Sequence, residues 1–494
     1  MIRVRRVLIY IHRWLGISGG LLFITWFASG IVMMYVRMPE LDSAERIGRL
    51  EPLDLSAIRR SMADAGGDGV DAVRINMLGG RPVYRVALGG GGGIRTIYAD
   101  SGELLAPLDR DGALAVARRF APAPAAALRY ASFLTGPDQW TLGGDARRAL
   151  PVHRIALDDG RGTEIYVSGR SGEVVMRTTA RERRLAYFGP VLHWLYFTPL
   201  RERSGLWTGT IIWLAMGGCA LSLSGLAWGV WRVSISPRYR LKREYSRSPY
   251  AGLMRWHHYA GLVFGAATFT WIFSGLLSMD PWDWHPATTP TRQQREAVAG
   301  GPLRLGGLTI DRVRHAAAQL TRTTRVAELE LLQFQGERFL RSGAALVSLD
   351  RPGGVFTRFA DDAMIAAVHA AMPGVPPQDV TWLTEYDAYY YDRARTLALP
   401  VLRVRYADRH DTWLYLDPRR GAIARREERL SRANRWLYHG LHSLDFPRLY
   451  SARPLWDAVV IVLSAGGLGV SATTLMPAAR RLKRHWRRLR HEIW

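Results

Sequence analysis

Apolar residues in this chain gather into four long runs, and between the runs the pattern changes to short alternating stretches. The runs cover about Val7–Val36, Leu206–Trp231, Trp256–Met279 and Leu455–Met476. Each approaches or exceeds the roughly 20 residues that a helix needs to cross a bilayer. Each is also rich in Gly, Ser and Thr, which let helices approach closely in lipid. The first run has the basic start of a signal peptide, but its apolar stretch is too long, so it is read as a retained span. The long intervening stretches, about 37–205 and 280–454, have other periods. Leu55–Ala65 has helical spacing, while Ala72–Met77, Pro82–Leu88 and Arg95–Tyr98 alternate as strands, with a turn at Asp100-Ser101-Gly102. The second stretch repeats this with a helix at Ile310–Leu320 and strands at Glu328–Gln333, Arg338–Arg341 and Ala345–Ser348. Gly89–Gly93 joins two strands. It neither opens a helix nor precedes a Lys-Ser/Thr pair, so it is a hairpin loop and not a phosphate loop.

Charge orients the spans. Arg3, Arg5 and Arg6 precede the first. Arg232, Arg238, Arg240, Lys242, Arg243 and Arg247 lie between the second and third. Arg480, Arg481, Lys483, Arg484, Arg487, Arg488 and Arg490 follow the fourth. In a four-span chain these three segments share one side, and the positive-inside rule makes that side, with both termini, cytoplasmic.

The chain is a duplication. His12-Arg13-Trp14-Leu15-Gly16 aligns with His257-His258-Tyr259-Ala260-Gly261, and Gly20, Thr25, Trp26 and Ser29-Gly30 align with Gly265, Thr270, Trp271 and Ser274-Gly275, all at an offset of 245. At an offset of 249, Ala149-Leu150-Pro151-Val152 recurs as Ala398-Leu399-Pro400-Val401, His193 falls on His442, Phe197 on Phe446, and Leu206-Trp207 on Leu455-Trp456. Each copy is therefore a span, an outer portion and a span, and the copies are expected to be related by a pseudo-twofold axis along the membrane normal.

Composition narrows the chemistry. Cys219 is the single cysteine, which excludes an intrachain disulfide, a Cys-ligated zinc site and an iron–sulfur cluster. The net charge of +24 raises nucleic acid as a partner, but the densest basic runs abut apolar runs, as membrane anchors do, so no nucleic acid is expected. The thirteen histidines are not scattered. His12, His257 and His258 stand at the cytoplasmic ends of the first and third spans. His193, His439 and His442 stand just before the second and fourth. Ionisable groups at membrane depth are costly and usually functional, and both aligned pairs keep histidine in both copies.

Histidines from two facing helices can supply both axial ligands of a haem iron. Gly16 and Gly20 after His12, and Gly261 and Gly265 after His257, lie on one helix face at four-residue steps and would make room for the macrocycle. Arg13 and Arg255 could neutralise propionates. An interfacial aromatic belt explains a lone histidine; two duplicated pairs favour two b-type haems. Zinc fits poorly with two histidines and no acidic or Cys ligand. The ligands are His12 with His257 or its neighbour His258, and His193 with His442 or nearby His439, the aligned residue being preferred in each case.

Ile97-Tyr98-Ala99-Asp100-Ser101-Gly102-Glu103, Ile165–Val174 and Leu414–Gly421 resemble the closing strand of the PepSY module, and His12-Arg13-Trp14-Leu15-Gly16 opening a span resembles the PepSY-associated transmembrane family. Asp350-Arg351-Pro352-Gly353-Gly354 departs from the module because no acidic residue follows the glycine. The resemblance covers nearly the whole chain. It implies an iron-regulated inner-membrane protein of Gram-negative bacteria, some of which are haem-containing reductases of ferric siderophores, with His12, His193, His257 or His258, and His439 or His442 at the family's membrane-histidine positions.

The expected fold is thus an α-helical membrane protein of four transmembrane helices in two duplicated halves, with α+β PepSY-like periplasmic domains. Its segments are a first span to residue 36, an outer domain at 37–184, an interfacial helix and second span at 185–231, and a basic cytoplasmic loop at 232–252. A third span at 253–279, a second outer domain at 280–430, an interfacial helix and fourth span at 431–477, and a basic tail at 478–494 complete it. Pro199 and Pro447 are expected to end the interfacial helices. The expected function is electron transfer across the inner membrane to a ferric siderophore or other ferric chelate, with Trp26, Trp271 and Phe273 shortening the gap between haems. Tyr386, Tyr389, Tyr390 and Tyr391 near Trp382 are candidates to contact the chelate, or a buried aromatic core. No flavin or nicotinamide fingerprint is present, so a quinol or a separate cytoplasmic reductase is the expected donor. The alternative is a haem-free PepSY scaffold or sensor that modulates periplasmic peptidase or signalling activity. A transporter is disfavoured, because no span has a Pro-broken centre or a mid-membrane acidic residue.

Overall fold

The computed structural model describes residues 2–66, 69–121, 127–241, 244–392 and 395–493. Lys242 and Arg243 of the basic loop lie outside the described residues. The chain divides into two compact units: Met1–Met38, Arg184–His285 and Ala433–Trp494 in one, and Pro39–Arg183 and Pro286–Arg432 in the other.

The first unit is helical. Four helices, Ile2–Met33, Ser204–Arg232, Leu253–Leu277 and Leu455–Ile493, coincide with the four apolar runs and are long and apolar enough to cross a membrane. The fourth does not stop at its apolar end but continues through Pro477 into the basic tail. The first and third helices each pack against the second and fourth, so the duplicated helices stand across the bundle from each other. Small residues set the spacing: Phe27 packs onto Gly467 and Phe264 onto Gly466, where a methyl group would collide with the ring. The segments before the second and fourth helices contain matched π-helical turns, Tyr187–Val191 and Arg435–Gly440. Pro199 and Pro447 do not end short helices. They begin them, in the first turns of Thr198–Arg201 and Pro447–Ser451, where a missing N–H costs nothing.

The second unit is α+β. In the first half, β1 (Val70–Leu78), β2 (Arg81–Leu88) and β3 (Ile94–Tyr98) form a meander at the expected places, with Gly89–Gly93 turning between β2 and β3. The helix Arg110–Phe120 leads to a second meander, β4 (Leu128–Leu134), β5 (Val152–Leu157), β6 (Thr163–Ser168) and β7 (Val174–Thr178). A two-residue hairpin, β8 (Tyr239–Arg240) with β9 (Tyr245–Ser246), belongs to the helical unit. The second half repeats the plan. The helix Ile310–Thr321 precedes β10 (Leu329–Phe334), β11 (Glu337–Ser342) and β12 (Ala345–Ser348). The helix Asp361–Ala371 then precedes β13 (Pro377–Leu383), β14 (Val401–Tyr406), β15 (Trp413–Asp417) and β16 (Ala422–Glu427).

Two local expectations fail for tertiary reasons. Leu55–Ala65 forms only a single 3₁₀ turn, Met62–Ala65. The N–H groups of Arg59 and Arg60 both donate to Ala99 O at 2.8 Å, and Tyr84 Oη donates to Arg60 O at 2.7 Å. Partners on β2 and just after β3 thus replace the helical ladder, while Ile58 and Met62 are fully buried. Second, the stretches 37–184 and 280–430 do not make two separate domains. β1 pairs antiparallel with β10, Arg74 opposite Glu330, giving one sheet in the order β12-β11-β10-β1-β2-β3. Pairing conceals what would be two exposed edges, and Val73, Ile75, Leu329 and Leu331 form its joint core. On the other face, Glu328 accepts from Arg46, Arg74 and Asn76.

Candidate functional site

The helical unit brings the aligned histidines together in two layers. His12 of the first helix and His257 of the third face each other with ring centroids 6.1 Å apart. His193 and His442, from the segments after the two π-helical turns, have ring centroids 6.0 Å apart. Each ring is held by the same kind of bond. His12 Nδ1 lies 3.1 Å from Leu221 O, and His257 Nδ1 lies 3.1 Å from Val470 O and 3.2 Å from Thr473 Oγ1. His193 Nδ1 lies 3.2 Å from Trp26 O and 3.1 Å from Ser29 Oγ. His442 Nδ1 lies 3.0 Å from Trp271 O and 3.1 Å from Ser274 Oγ. A carbonyl oxygen only accepts, so Nδ1 carries the proton in all four rings and Nε2 is the nitrogen left with a lone pair. The acceptors obey the duplication: Leu221 and Val470 share the 249 offset, and Trp26-Ser29 and Trp271-Ser274 share the 245 offset. Burial, and then the neighbouring His442, hold the His193 imidazole far below the usual histidine range, at about 3; the ring is neutral, the form that donates to a metal.

The neighbours compete less well. His258 is buried, with Nδ1 2.8 Å from Ser248 Oγ and Nε2 2.9 Å from Gly229 O. Both nitrogens are engaged by the protein, so the ring ties the loop before the third helix to the end of the second. His439 lies tilted against Tyr438, with centroids 4.5 Å apart, while His442 is the ring opposite His193.

The glycines against which the histidine rings pack are not those of the four-residue rows that follow His12 and His257. Gly16 faces Leu221, Gly20 faces Thr474, Gly265 packs on Leu226, and Gly261 borders open space. The histidines instead lie against Gly225, Gly30 and Gly275: a Cβ there would stand 2.5 Å from His12 Cε1, 3.5 Å from His193 Cε1 and 3.3 Å from His442 Cε1. Ser29-Gly30 and Ser274-Gly275 had a visible signal, a dipeptide kept in both copies, but nothing local says that it supports a ring 164 or 168 residues away.

Between the layers the bundle is apolar. Phe23, Phe27, Ile272 and Leu276 are buried, and Trp271 packs on Phe27 with centroids 6.0 Å apart. Phe273 stacks on Phe269, outside that core cluster. Fourteen residues separate His12 from Trp26, so the layers lie about 21 Å apart along the helix, closer than the full span length. Arg255 pairs with Glu244.

The tyrosine cluster resolves as a core. Tyr390 is 1% exposed and stacks on Tyr415 at 5.0 Å, and Tyr386 and Tyr390 donate to Leu397 O and Ala398 O. Tyr390 holds the β14–β15 hairpin, while Tyr386, Tyr389 and Tyr391 are partly exposed. Each layer thus offers two imidazoles with ring centroids about 6 Å apart. Among the described residues no group of three or more His, Cys, Asp or Glu converges as a metal site. No protein-family model matches the chain, and no curated protein matches it either.

Proposed function

We propose that the chain is an inner-membrane electron-transfer protein that holds two b-type haems, one between His12 and His257 and one between His193 and His442. In this reading it reduces ferric iron, presented as a siderophore or another chelate, on the periplasmic side. The observation that carries it is the repeated geometry: opposed imidazoles with centroids 6.1 and 6.0 Å apart, each with Nδ1 tied to a helix carbonyl. Two metal–imidazole bonds of about 2.0 Å, plus roughly 1.2 Å from each nitrogen to its ring centre, would separate the centroids by about 6.4 Å across one ion. The residues fit such an ion: His12 with His257, and His193 with His442, would hold it without a third protein ligand among the described residues. A structural zinc would want four protein ligands.

A haem held in this way supplies one-electron transfer at a potential set by its axial ligands and their surroundings. The chain's residues prepare the site. The carbonyls of Leu221, Val470, Trp26 and Trp271 fix the tautomer and ring orientation and raise the basicity of Nε2. Phe23, Phe27, Ile272 and Leu276 exclude water between the layers. Arg13, which makes no ion pair with a described residue, would neutralise a propionate near His12. The basic segments at 1–6, 232–252 and 478–494 support a cytoplasmic placement of both termini, which puts the β-rich unit, with its PepSY-like strands, in the periplasm. Without a flavin or nicotinamide fingerprint, the donor is a quinol or a cytoplasmic reductase. Ferric iron as acceptor rests on the resemblance to the PepSY-associated transmembrane family.

The test is made on purified protein from haem-replete cells. Two low-spin, six-coordinate b-type haems per chain are expected, and anaerobic mixing of the dithionite-reduced protein with a ferric siderophore should reoxidise them in step with capture of ferrous iron by a chelator. A colourless preparation removes the haem reading. Haems that stay reduced with several ferric chelates, yet are oxidised by a quinone, place the protein in a quinone pathway.

A further inference from the structure

The end of the second helix gathers arginines that the histidine chemistry does not use. Arg5 of the first helix lies over the Trp231 ring, 4.3 Å from its centroid. Arg232 lies against Trp228 and Tyr239, 5.7 Å from each centroid. Arg238 lies over Tyr239 at 5.1 Å, and its Nη2 donates to Tyr239 Oη at 3.1 Å. Tyr239 Oη in turn donates to Arg232 O at 3.0 Å, which pins the β8–β9 hairpin to the end of the second helix. Trp228 Nε1 donates to Tyr250 Oη at 2.7 Å and ties the loop a second time. Three guanidiniums from separate parts of the chain thus interleave with three rings.

These guanidiniums have no carboxylate to serve. Residues 1–36 and 204–279 contain a single acidic residue, Glu244, and it pairs with Arg255. Arg232 Nε is buried with no acceptor among the described residues, and Arg5 and Arg238 are exposed. A guanidinium over a ring meets it with its face, whereas its N–H groups lie in its own plane and point past the ring, toward wherever an oxygen acceptor stands. The depth suits lipid headgroups. Trp228 and Trp231 close the apolar run, and indole rings favour the membrane boundary. Ile235, just beyond, is 97% exposed, an apolar side chain beside the exposed charge.

The other half of the duplication does not build this cluster. At the offset of 249, Trp228, Trp231 and Arg232 fall on Pro477, Arg480 and Arg481, and at the offset of 245, Arg5 falls on Tyr250. The matching helix end has arginines but no indole at these positions to hold them. The repeated fold therefore does not require the interleaved rings, and basic charge at a helix end does not by itself produce them.

We propose that Arg5, Arg232 and Arg238 bind the phosphodiester headgroup of an acidic phospholipid, in the leaflet on the side of the chain termini. The in-plane N–H groups receive the phosphate oxygens, Trp228, Trp231 and Tyr239 hold the guanidiniums in place, and Trp231 and Ile235 face the start of the acyl chains. The site is independent of the haem reading, because lipid binding is read without a redox signal.

The experiment is native mass spectrometry of the full-length protein in a nonionic detergent with phosphatidylglycerol, phosphatidylcholine or inorganic phosphate added. One phosphatidylglycerol per chain should stay bound, phosphatidylcholine should not, and inorganic phosphate at about 10 mM should not displace the lipid. The double variant Arg5→Gln/Arg232→Gln should lower the occupancy about tenfold. Arg480→Gln/Arg481→Gln, which removes the same charge from the matching helix end, should leave it unchanged. Arg5→Gln alone, at an exposed residue where folding is not at stake, should show a smaller loss in the same direction. The proposal is overturned if phosphatidylcholine binds as well as phosphatidylglycerol, or if inorganic phosphate displaces the lipid and is itself the ligand. It is equally overturned if Arg5→Gln and the Arg5→Gln/Arg232→Gln variant bind like the parent, or if the two double variants lose lipid equally, which would make the attraction a property of the whole basic face.

Discussion

His12→Ala and His193→Ala should each remove one haem and leave the other, halving the haem content with a different half of the spectrum lost in each variant. The two residues belong to layers about 21 Å apart along the helix, and each layer has its own set of supporting carbonyls, so the losses should be separable. His258→Ala should keep both haems, because both ring nitrogens of His258 already serve Ser248 and Gly229. Weakening the support instead of the ligand should cost less: Ser29→Ala leaves His193 its bond to Trp26 O, and loss of one outer partner typically lowers metal retention by about 10- to 100-fold. Haem content and reduced-minus-oxidised spectra of the purified variants decide the matter. If the His12 and His193 variants lose the same component, the proposed pairing is wrong. If His258→Ala loses the component that His12→Ala loses, His258 and not His257 is the partner.

Glu328→Gln should destabilise the β-rich unit by about 3 kcal/mol, the order expected when one partner of a buried charge pair is removed and the other charges stay. Glu328 joins the halves of the duplication: it stands just before β10 and accepts from Arg46 at 2.6 and 2.9 Å and from Arg74 at 3.0 Å, both residues of the first half. Burial alone would raise its pKa. The hydrogen bond from Arg46 and the charges of Arg74 and Arg46 outweigh burial and hold the carboxyl below its ordinary value of 4.5. Because the folded value is the depressed one, the stabilisation is fully present above the ordinary glutamate value and is lost as pH falls below it through the folded value. Hydrogen exchange at the β1–β10 pairing, followed from neutral pH down past 4.5, should show protection falling with acid in the parent and already reduced, with a flatter pH response, in Glu328→Gln. Equal protection and the same acid profile in both proteins would show that the pairing does not depend on this carboxylate.

Much of this architecture is readable from the chain. A window of about 20 apolar residues is a summed property that no single contact can overturn, so all four long helices appear where hydropathy puts them. Alternation located β1, β2, β3, β10, β11 and β12 to within a few residues, because strands half-buried against a core advertise their period. The duplication paired His12 with His257 and His193 with His442, since equivalent positions in two copies related by an axis through the bundle meet across that axis. What sequence could not decide was anything set by a partner distant along the chain. Adjacent residues on a helix point about 100° apart, so only packing could turn His257 to the bundle axis and His258 onto Gly229. Local spacing made Leu55–Ala65 a helix until Ala99 and Tyr84 claimed its backbone groups. Two stretches with independent strand patterns became one sheet because an unpaired edge on each was better satisfied by the other. The glycines and carbonyls around the histidines follow the same rule. A four-residue row after His12 is a local regularity, whereas the neighbours of a ring that crosses the bundle lie on other helices, and only the tertiary structure names them.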